Sequence, residues 1–214
     1  MVCSVFACLA VCVVAQTDET CRSEIKIAVS AATDVPDSLL CRIVAEAQAI
    51  WEPAGLTIAW HRADTSEPAV DHDLDVIVEK GADTNAQSEA PLGWIPFVDG
   101  VPRKCLHLSA PNAEHLMRQT PAIDDATSQA HEVLLGRALG RAFAHELGHY
   151  VFASKTHARR GLMRATWPTG AFLSPDRRNF LLSSDERAAA GSWLMHGRPP
   201  ADSQTRRHTK SSTS

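Results

Sequence analysis

Neither an excess of positive charge nor a long apolar run is present in this sequence of 214 residues. The formal net charge is −4 at pH 7, which gives no reason to expect a nucleic acid or an anionic membrane as a partner. Residues 2–15 are apolar apart from Ser4, but this stretch is too short to span a bilayer. No internal repeat is visible, and 44% of the residues are hydrophobic. We therefore expect one domain with a sizeable core, and a monomer.

The N-terminal apolar stretch ends in Val13-Val14-Ala15 before Gln16. This ending is typical of a secretory signal peptide cut after Ala15, although the usual basic start is missing and a membrane-anchoring stub is the alternative. After removal of the signal we expect no stable membrane insertion and a secreted or periplasmic protein. The chain then divides into a signal peptide (1–15), an N-terminal segment (16–24), one domain (25–198) and a disordered tail (199–214).

The cysteines indicate neither a definite disulfide nor a metal site. Three of the six lie within the expected signal peptide. Cys21, Cys41 and Cys105 remain, an odd number that allows one disulfide and one free thiol without fixing the pair. None of them has the spacing of a zinc knuckle.

Strands and a helix alternate in the first part of the chain. Residues 25–30 and 74–79 alternate in polarity and predict strands, and 56–60 is a further predicted strand. Between the predicted strands 25–30 and 56–60, apolar residues recur at helical spacing. Pro36 before them and Gly55 after them are suited to start and end a helix. This order predicts a parallel strand pair with a right-handed crossover.

The second part of the chain predicts further strands and three helices. Residues 92–97 and 105–109 flank a turn that contains Asp99-Gly100, and they predict a hairpin-like unit. The helices are predicted at 112–118, at 131–152, and from a capping box at 183–186 through residue 194. The sequence as a whole predicts an α/β domain with a mixed sheet.

The motif His145-Glu146-Leu147-Gly148-His149 ends the long apolar helix. Residues i and i+4 share one helix face with Cβ atoms about 5–6 Å apart, so His145 and His149 can bind one zinc ion. Glu146 is rotated about 100° away and can take a proton from metal-bound water. The alternative is a helix with solvated histidines. On so apolar a helix, burial of these side chains without a ligand would cost free energy.

A zinc ion bound by two histidines needs at least one more protein ligand, and His157 is the nearest later imidazole. Three protein ligands plus water is the catalytic arrangement, whereas four protein ligands are structural. Asp176, Asp185 and Glu186 are acidic alternatives, although the last two also suit the start of the final helix. Met163 carries a soft thioether and is not expected to bind zinc.

These residues resemble the metzincin clan of zinc peptidases, and the short gap from His157 to Met163 is similar to its matrixin-like members. The clan pattern is HExxHxxGxxH followed by a methionine turn. Here eight positions separate His149 from His157 where the clan has six, and Phe152 stands where the clan has glycine. From about residue 25 to residue 193 the chain is also similar to a group of bacterial secreted proteins. That group has HExxH, a longer gap to the third histidine, and H-x-x-x-G-[LI]-M-R-A.

The resemblance implies a domain with a twisted mixed sheet, one backing helix, the active-site helix and a C-terminal helix. It implies a zinc endopeptidase with Zn²⁺ on His145, His149 and His157, with Glu146 as general base, and with Met163 packed beneath the histidines. Some metzincins carry a tyrosine after this methionine, and Arg164 stands there in this chain. The sequence therefore identifies no side chain that stabilises the oxyanion.

The resemblance also implies where a peptide or protein substrate binds. The strand at 92–97 would be the antiparallel edge of the cleft, with Gly93 and Trp94 beside the substrate and Trp167 lining the pocket. An edge blunted by Pro91 and Pro96 that pairs with nothing is the alternative. Two other functions stay open, namely a zinc-stabilised binding module without catalysis and a zinc peptidase with an acidic third ligand.

Overall fold

The computed structural model describes residues 23–63, 71–80, 91–120 and 127–196. The predicted signal peptide and tail, together with Cys21, lie outside the described residues. Within these ranges the strands are β1 (Ser23–Ala31), β2 (Leu56–Arg62), β3 (Leu74–Glu79), β4 (Gly93–Trp94), β5 (Phe97–Val98), β6 (Val101–Pro102) and β7 (Cys105–Ser109). The α-helices are α1 (Asp37–Trp51), α2 (Ala110–Arg118), α3 (Ser128–Val151), α4 (Thr169–Leu173) and α5 (Ser184–His196).

Five of the strands form one mixed sheet in the order β2-β1-β3-β7-β4. β1 lies parallel to β2 and β3, and β3 lies parallel to β7. Only β4 runs antiparallel, beside β7 at the edge of the sheet. The predicted α/β class is therefore confirmed, as is the parallel pairing of the first two strands.

The prediction of one continuous strand at residues 92–97 is wrong. The sheet contains only Gly93–Trp94 from it, and Phe97–Val98 pairs with Val101–Pro102 as a separate hairpin. Pro96 lies at the break, where its nitrogen has no hydrogen to donate to a strand ladder. Asp99 and Gly100 form the tight turn of this hairpin with φ of 51° and 78°, as a two-residue hairpin turn requires.

Helices α1 and α3 pack closely against each other, and this contact fixes the position of the motif helix. A Cβ atom added at Gly140 would lie 2.7 Å from the Ile43 carbonyl oxygen, so only glycine permits this approach. The buried Trp51 indole N–H donates to the Ala144 carbonyl oxygen at 3.1 Å, one residue before His145. The core is made by the apolar faces of the strands and both helices, including Ile25, Ile27, Leu40, Ile43, Ile50, Leu74, Leu106 and Phe143.

The shorter helices have clear end signals. The predicted helical turn at 112–118 is part of α2, whose first turn is capped by the Ser109 hydroxyl accepting from the Asn112 N–H. The predicted capping box at α5 is confirmed, because the Ser183 hydroxyl accepts from the Glu186 N–H and the Glu186 carboxylate accepts from the Ser183 N–H. No helix in the described ranges is long and apolar enough to cross a membrane. Cys41 and Cys105 are free thiols.

Candidate metal centre and cleft

The structure brings the side chains of His145, His149 and His157 together. One nitrogen from each ring lies within 4.8 Å of the other two, and the ring centroids are 4.8, 5.3 and 4.9 Å apart. Zinc–nitrogen bonds of about 2.0–2.1 Å in a tetrahedron put the nitrogens roughly 3.4 Å apart. Small rotations of the exposed His157 side chain would close this difference. In the described part of the chain, no further His, Cys, Asp or Glu joins the group.

Two of these imidazoles have a defined tautomer. His145 Nδ1 lies 2.8 Å from the Leu162 carbonyl oxygen, and His149 Nδ1 lies 2.6 Å from the Ser154 carbonyl oxygen. A carbonyl oxygen can only accept, so each Nδ1 carries the hydrogen and each Nε2 keeps its lone pair. A backbone partner on the second ring nitrogen is the usual arrangement of a metal-binding histidine.

Burial keeps the same two rings neutral. Burial, together with a smaller effect of the neighbouring histidines, lowers the pKa of His145 to about 4, against the opposing effect of its Leu162 hydrogen bond. The pKa of His149 is lowered in the same way. Neutral imidazole is the form that binds a metal, so both residues are prepared for a cation at neutral pH.

Glu146 lies between the motif helix and the edge strand β4. Its Cγ would be 3.2 Å from a Cβ atom at Gly93, which shows how closely the strand crosses the carboxylate. Burial raises the pKa of Glu146 to about 8, although a hydrogen bond from the Ile95 N–H acts in the opposite direction. The carboxylate is therefore more basic than a free one and lies beside the three imidazoles.

The chain leaves α3 through a left-handed turn that uses no glycine. Phe152 ends the helix in an ordinary right-handed conformation, and Ala153 follows with φ of 47°. The Ser154 N–H then donates to the His149 carbonyl oxygen at 3.2 Å. The backbone reversal that the missing glycine would provide is thus made by Ala153, one position after Phe152.

The turn that contains Met163 holds His157 and His145 in place. The Met163 carbonyl oxygen accepts from the Ala158 N–H at 2.7 Å, directly after His157. The Met163 N–H in turn donates to the Glu186 carboxylate at 3.2 Å. The Met163 sulfur packs so closely under Gly148 that a Cβ atom at Gly148 would overlap it. Met163 therefore lies directly beneath the motif helix.

The three acidic alternatives to His157 lie elsewhere. Asp176 is exposed and forms an ion pair with Arg178 at 2.7 Å, and hydrogen bonds from Arg178 lower its pKa to about 2. Glu186 accepts the N–H groups of Met163 and Ser183. Asp185 is exposed in the first turn of α5. The structure places none of these carboxylates with the two helix histidines.

A cavity of about 860 Å³ opens beside the three histidines. Gly93, Trp94 and Trp167, which the sequence predicts at the substrate site, all line it. Trp94 stacks on His107 with ring centroids 4.9 Å apart, and Trp167 stacks on Phe180 at 4.4 Å. The cavity wall also contains residues that the sequence did not predict at the substrate site, among them Leu116, Lys155, Arg164, Phe172 and Phe180.

Phe172 and Phe180 form an aromatic wall of the cavity that the sequence did not predict. Arg141 is the one residue in the sequence that could have indicated it. This arginine lies one turn before His145 in an apolar helix and is 0% exposed, and a buried charge requires partners. Its guanidinium bonds Glu46 at 2.9 Å and lies 4.7 Å from the centre of the Phe180 ring. It also donates to the carbonyl oxygens of Ala171 and Asp176. Arg141 therefore connects the motif helix to the segment that carries Phe172 and Phe180.

Comparisons with known proteins give limited matches. No protein-family profile matches the chain, and no curated protein sequence matches it. Among solved structures, it is similar to an archaemetzincin from Methanopyrus kandleri, with 12% identity, 81% of this chain and 97% of that chain covered, and a TM-score of 0.49. It is also similar to myroilysin, with 13% identity, 77% of this chain and 70% of that chain covered, and a TM-score of 0.32.

Proposed function

We propose that this protein is a zinc-dependent endopeptidase. The single observation that carries the proposal is the convergence of three imidazoles beside the half-buried Glu146 carboxylate in an open cleft. His145 and His149 are neutral, oriented donors, and His157 provides a third nitrogen. Three nitrogen ligands and a free fourth position are the set that catalytic zinc sites use. When bound, zinc would supply a Lewis acid that polarises a carbonyl group and acidifies water.

Glu146 has the role of general base in this proposal. Its carboxylate would accept a proton from the attacking water and then donate that proton to the leaving amine. The position of the carboxylate, held between the motif helix and β4, supports this role. A purely structural zinc site has no use for a carboxylate at this place, and it would need a fourth protein ligand.

In this proposal the substrate binds along the edge strand β4. β7 is its one strand neighbour among the described residues, so its other edge is open to an extended peptide. Gly93 allows a close approach to Glu146, and Trp94 lies next to it. A peptide paired along β4 would pass over the carboxylate and the imidazoles.

Glu146→Gln tests the general base. The variant keeps the shape of the side chain and should keep one zinc per chain. It should lose peptidase activity by about 10²–10⁴-fold, the usual contribution of a positioned acid–base group. Zinc content by atomic emission and cleavage of a mixed peptide library by mass spectrometry give the two readings.

Glu132→Gln is the matched control, since it makes the same change at the far end of α3 and should leave turnover unchanged. Near wild-type turnover in Glu146→Gln would remove Glu146 from the mechanism. A zinc-loaded wild-type protein that cleaves nothing in the library would remove the peptidase proposal.

Export belongs to the proposal as well, with the mature chain starting near Gln16. Its support is the short apolar N-terminus that ends at Ala15. The intact mass of protein recovered outside the cytoplasm checks this prediction. A soluble cytosolic product that still carries Met1 would contradict it.

A further inference from the structure

The charged side chains around the cleft are mostly cationic. Lys155 and Arg164 both line it, and Glu146 is the one carboxylate among its described lining residues. The whole chain carries a formal charge of −4. The positive charge at the cleft is therefore a local feature and does not reflect the composition of the protein.

Both cations are held over aromatic rings of the cleft. The Lys155 ammonium lies 5.1 Å from the centre of the Phe97 ring, and the Arg164 guanidinium lies 5.2 Å from the centre of the Trp167 ring. These distances are within the range of cation–π attraction, which restrains a cation without neutralising it. Neither side chain forms an ion pair with any residue that the structure describes.

The two cations also lie close to the metal centre. The Phe97 ring beneath Lys155 is 6.4 Å from the His149 ring, centre to centre. Arg164 directly follows Met163, whose carbonyl oxygen fixes the backbone beside His157. Both cations line the same cavity as the three imidazoles, so a peptide bound in that cavity can meet both charges.

We infer that the cleft selects peptides with carboxylate side chains next to the bond at the metal centre, and this rests on the proposed function. A glutamate or aspartate of the substrate would pair with Lys155 or Arg164, neither of which forms an ion pair with a described residue. A lysine or arginine at the same place would meet like charge. Complementary charges of this kind give specificity and faster association more than raw affinity.

A set of three peptides tests the inference. They share one cleavable sequence and differ only in glutamate, glutamine or lysine at the residues that flank the cleaved bond. For the zinc-loaded wild type, kcat/KM should fall in the order glutamate, glutamine, lysine. Two exposed charge pairs predict about a fivefold gain for glutamate over glutamine. The gain should shrink at roughly 0.5 M salt, where the screening length is near 4 Å.

A double variant, Lys155→Gln with Arg164→Gln, locates the effect. Its ratio of kcat/KM between the glutamate and glutamine peptides should approach one while its zinc content is retained. The matched control is Arg103→Gln with Lys104→Gln, which removes the same charge from exposed residues outside the cleft. The control should keep the wild-type ratio. Equal ratios in both double variants would overturn the inference, because the preference would then not depend on Lys155 and Arg164 in particular.

Binding separates this inference from the peptidase proposal. Zinc-loaded Glu146→Gln should bind the labelled glutamate peptide more tightly than the glutamine peptide in fluorescence anisotropy. Wild-type cleavage of all three peptides at the same rate would overturn the acidic preference and leave the peptidase standing. Selective binding of the glutamate peptide without any wild-type cleavage would support the preference and overturn the peptidase. Equal binding of the two peptides would overturn the preference.

Discussion

At the scale of single residues, Ala153 carries a conformation that the sequence did not reveal. Its φ of 47° is in the left-handed region, which costs a non-glycine residue about 1–2 kcal/mol. No glycine lies from 149 to 160, and the gap between the histidines is two residues longer than in the metzincin pattern, which gives the chain slack to turn without a glycine. The turn in the structure contains no glycine and uses one left-handed residue, Ala153.

Ala153→Gly should therefore be nearly neutral for stability. Relief of the backbone strain offsets the buried methyl group that is lost and the added freedom of the unfolded chain, so we expect the free energy of unfolding to change by less than about 0.5 kcal/mol. Ala190→Gly is the matched control, since Ala190 is buried in α5 with ordinary helical geometry. It should cost about 1.5–2 kcal/mol, the sum of helix propensity and one buried methyl group.

Urea unfolding at neutral pH measures both free energies. The difference between the two substitutions is the strain at Ala153. Equal losses in the two variants would mean that Ala153 has no left-handed strain to release.

At the scale of elements, three parts of the chain meet at Glu46. This carboxylate on α1 bonds Arg141 of α3 at 2.9 Å and Arg177, between α4 and α5, at 2.8 Å. Burial raises the pKa of Glu46, but the hydrogen bonds from Arg177 and Arg141 outweigh burial and hold it below its ordinary value. Through Arg141 and Phe180, this ion-pair group positions the aromatic wall of the cleft.

Glu46→Gln should destabilise the fold at neutral pH by about 3 kcal/mol, because it leaves the buried Arg141 charge without its partner. The lowered pKa also predicts a pH dependence. The folded state binds the proton less well than the unfolded state, so the stabilisation is complete above the ordinary value of 4.5 and is lost as the pH falls through the lowered folded value. The gap in stability between wild type and Glu46→Gln should therefore narrow on acidification.

Urea unfolding at about pH 6 and about pH 3.5 tests this narrowing. Glu132→Gln is the control, because Glu132 also bonds an arginine, Arg42, across α1 and α3, at 2.8 Å, but both side chains are partly exposed. It should cost much less stability than Glu46→Gln, because an exposed ion pair contributes little. A constant gap between wild type and Glu46→Gln at both pH values would contradict the assigned role of Glu46.

The elements that the sequence predicted well are those with strong periodicity or end signals. β3 is found at its predicted bounds of 74–79, and the capping box at Ser183 begins α5 as expected. The edge region at 92–98 was predicted less well. Its two short strands pair with different partners, β7 and β6, and short-range alternation cannot tell one partner from another.

At the scale of the whole molecule, the motif spacing predicted a site that the fold brings together from distant segments. The convergence of His157 on His145 and His149 followed from residue types and spacing. The position of the aromatic wall did not follow from residue types and spacing. Phe172 and Phe180 come near the histidines only through contacts of α1, α3 and the segment after α4. Side chains that meet across long sequence separations leave no local periodicity to detect.

The central claim is that three imidazoles hold one zinc ion and leave a position open. X-ray absorption spectroscopy of the zinc-reconstituted protein, with zinc content measured on the same sample, tests it most directly. We expect one zinc per chain with three imidazole nitrogens at about 2.0–2.1 Å and one oxygen from water. Absence of stoichiometric zinc, or a closed shell of four protein ligands with sulfur at about 2.3 Å, would contradict it.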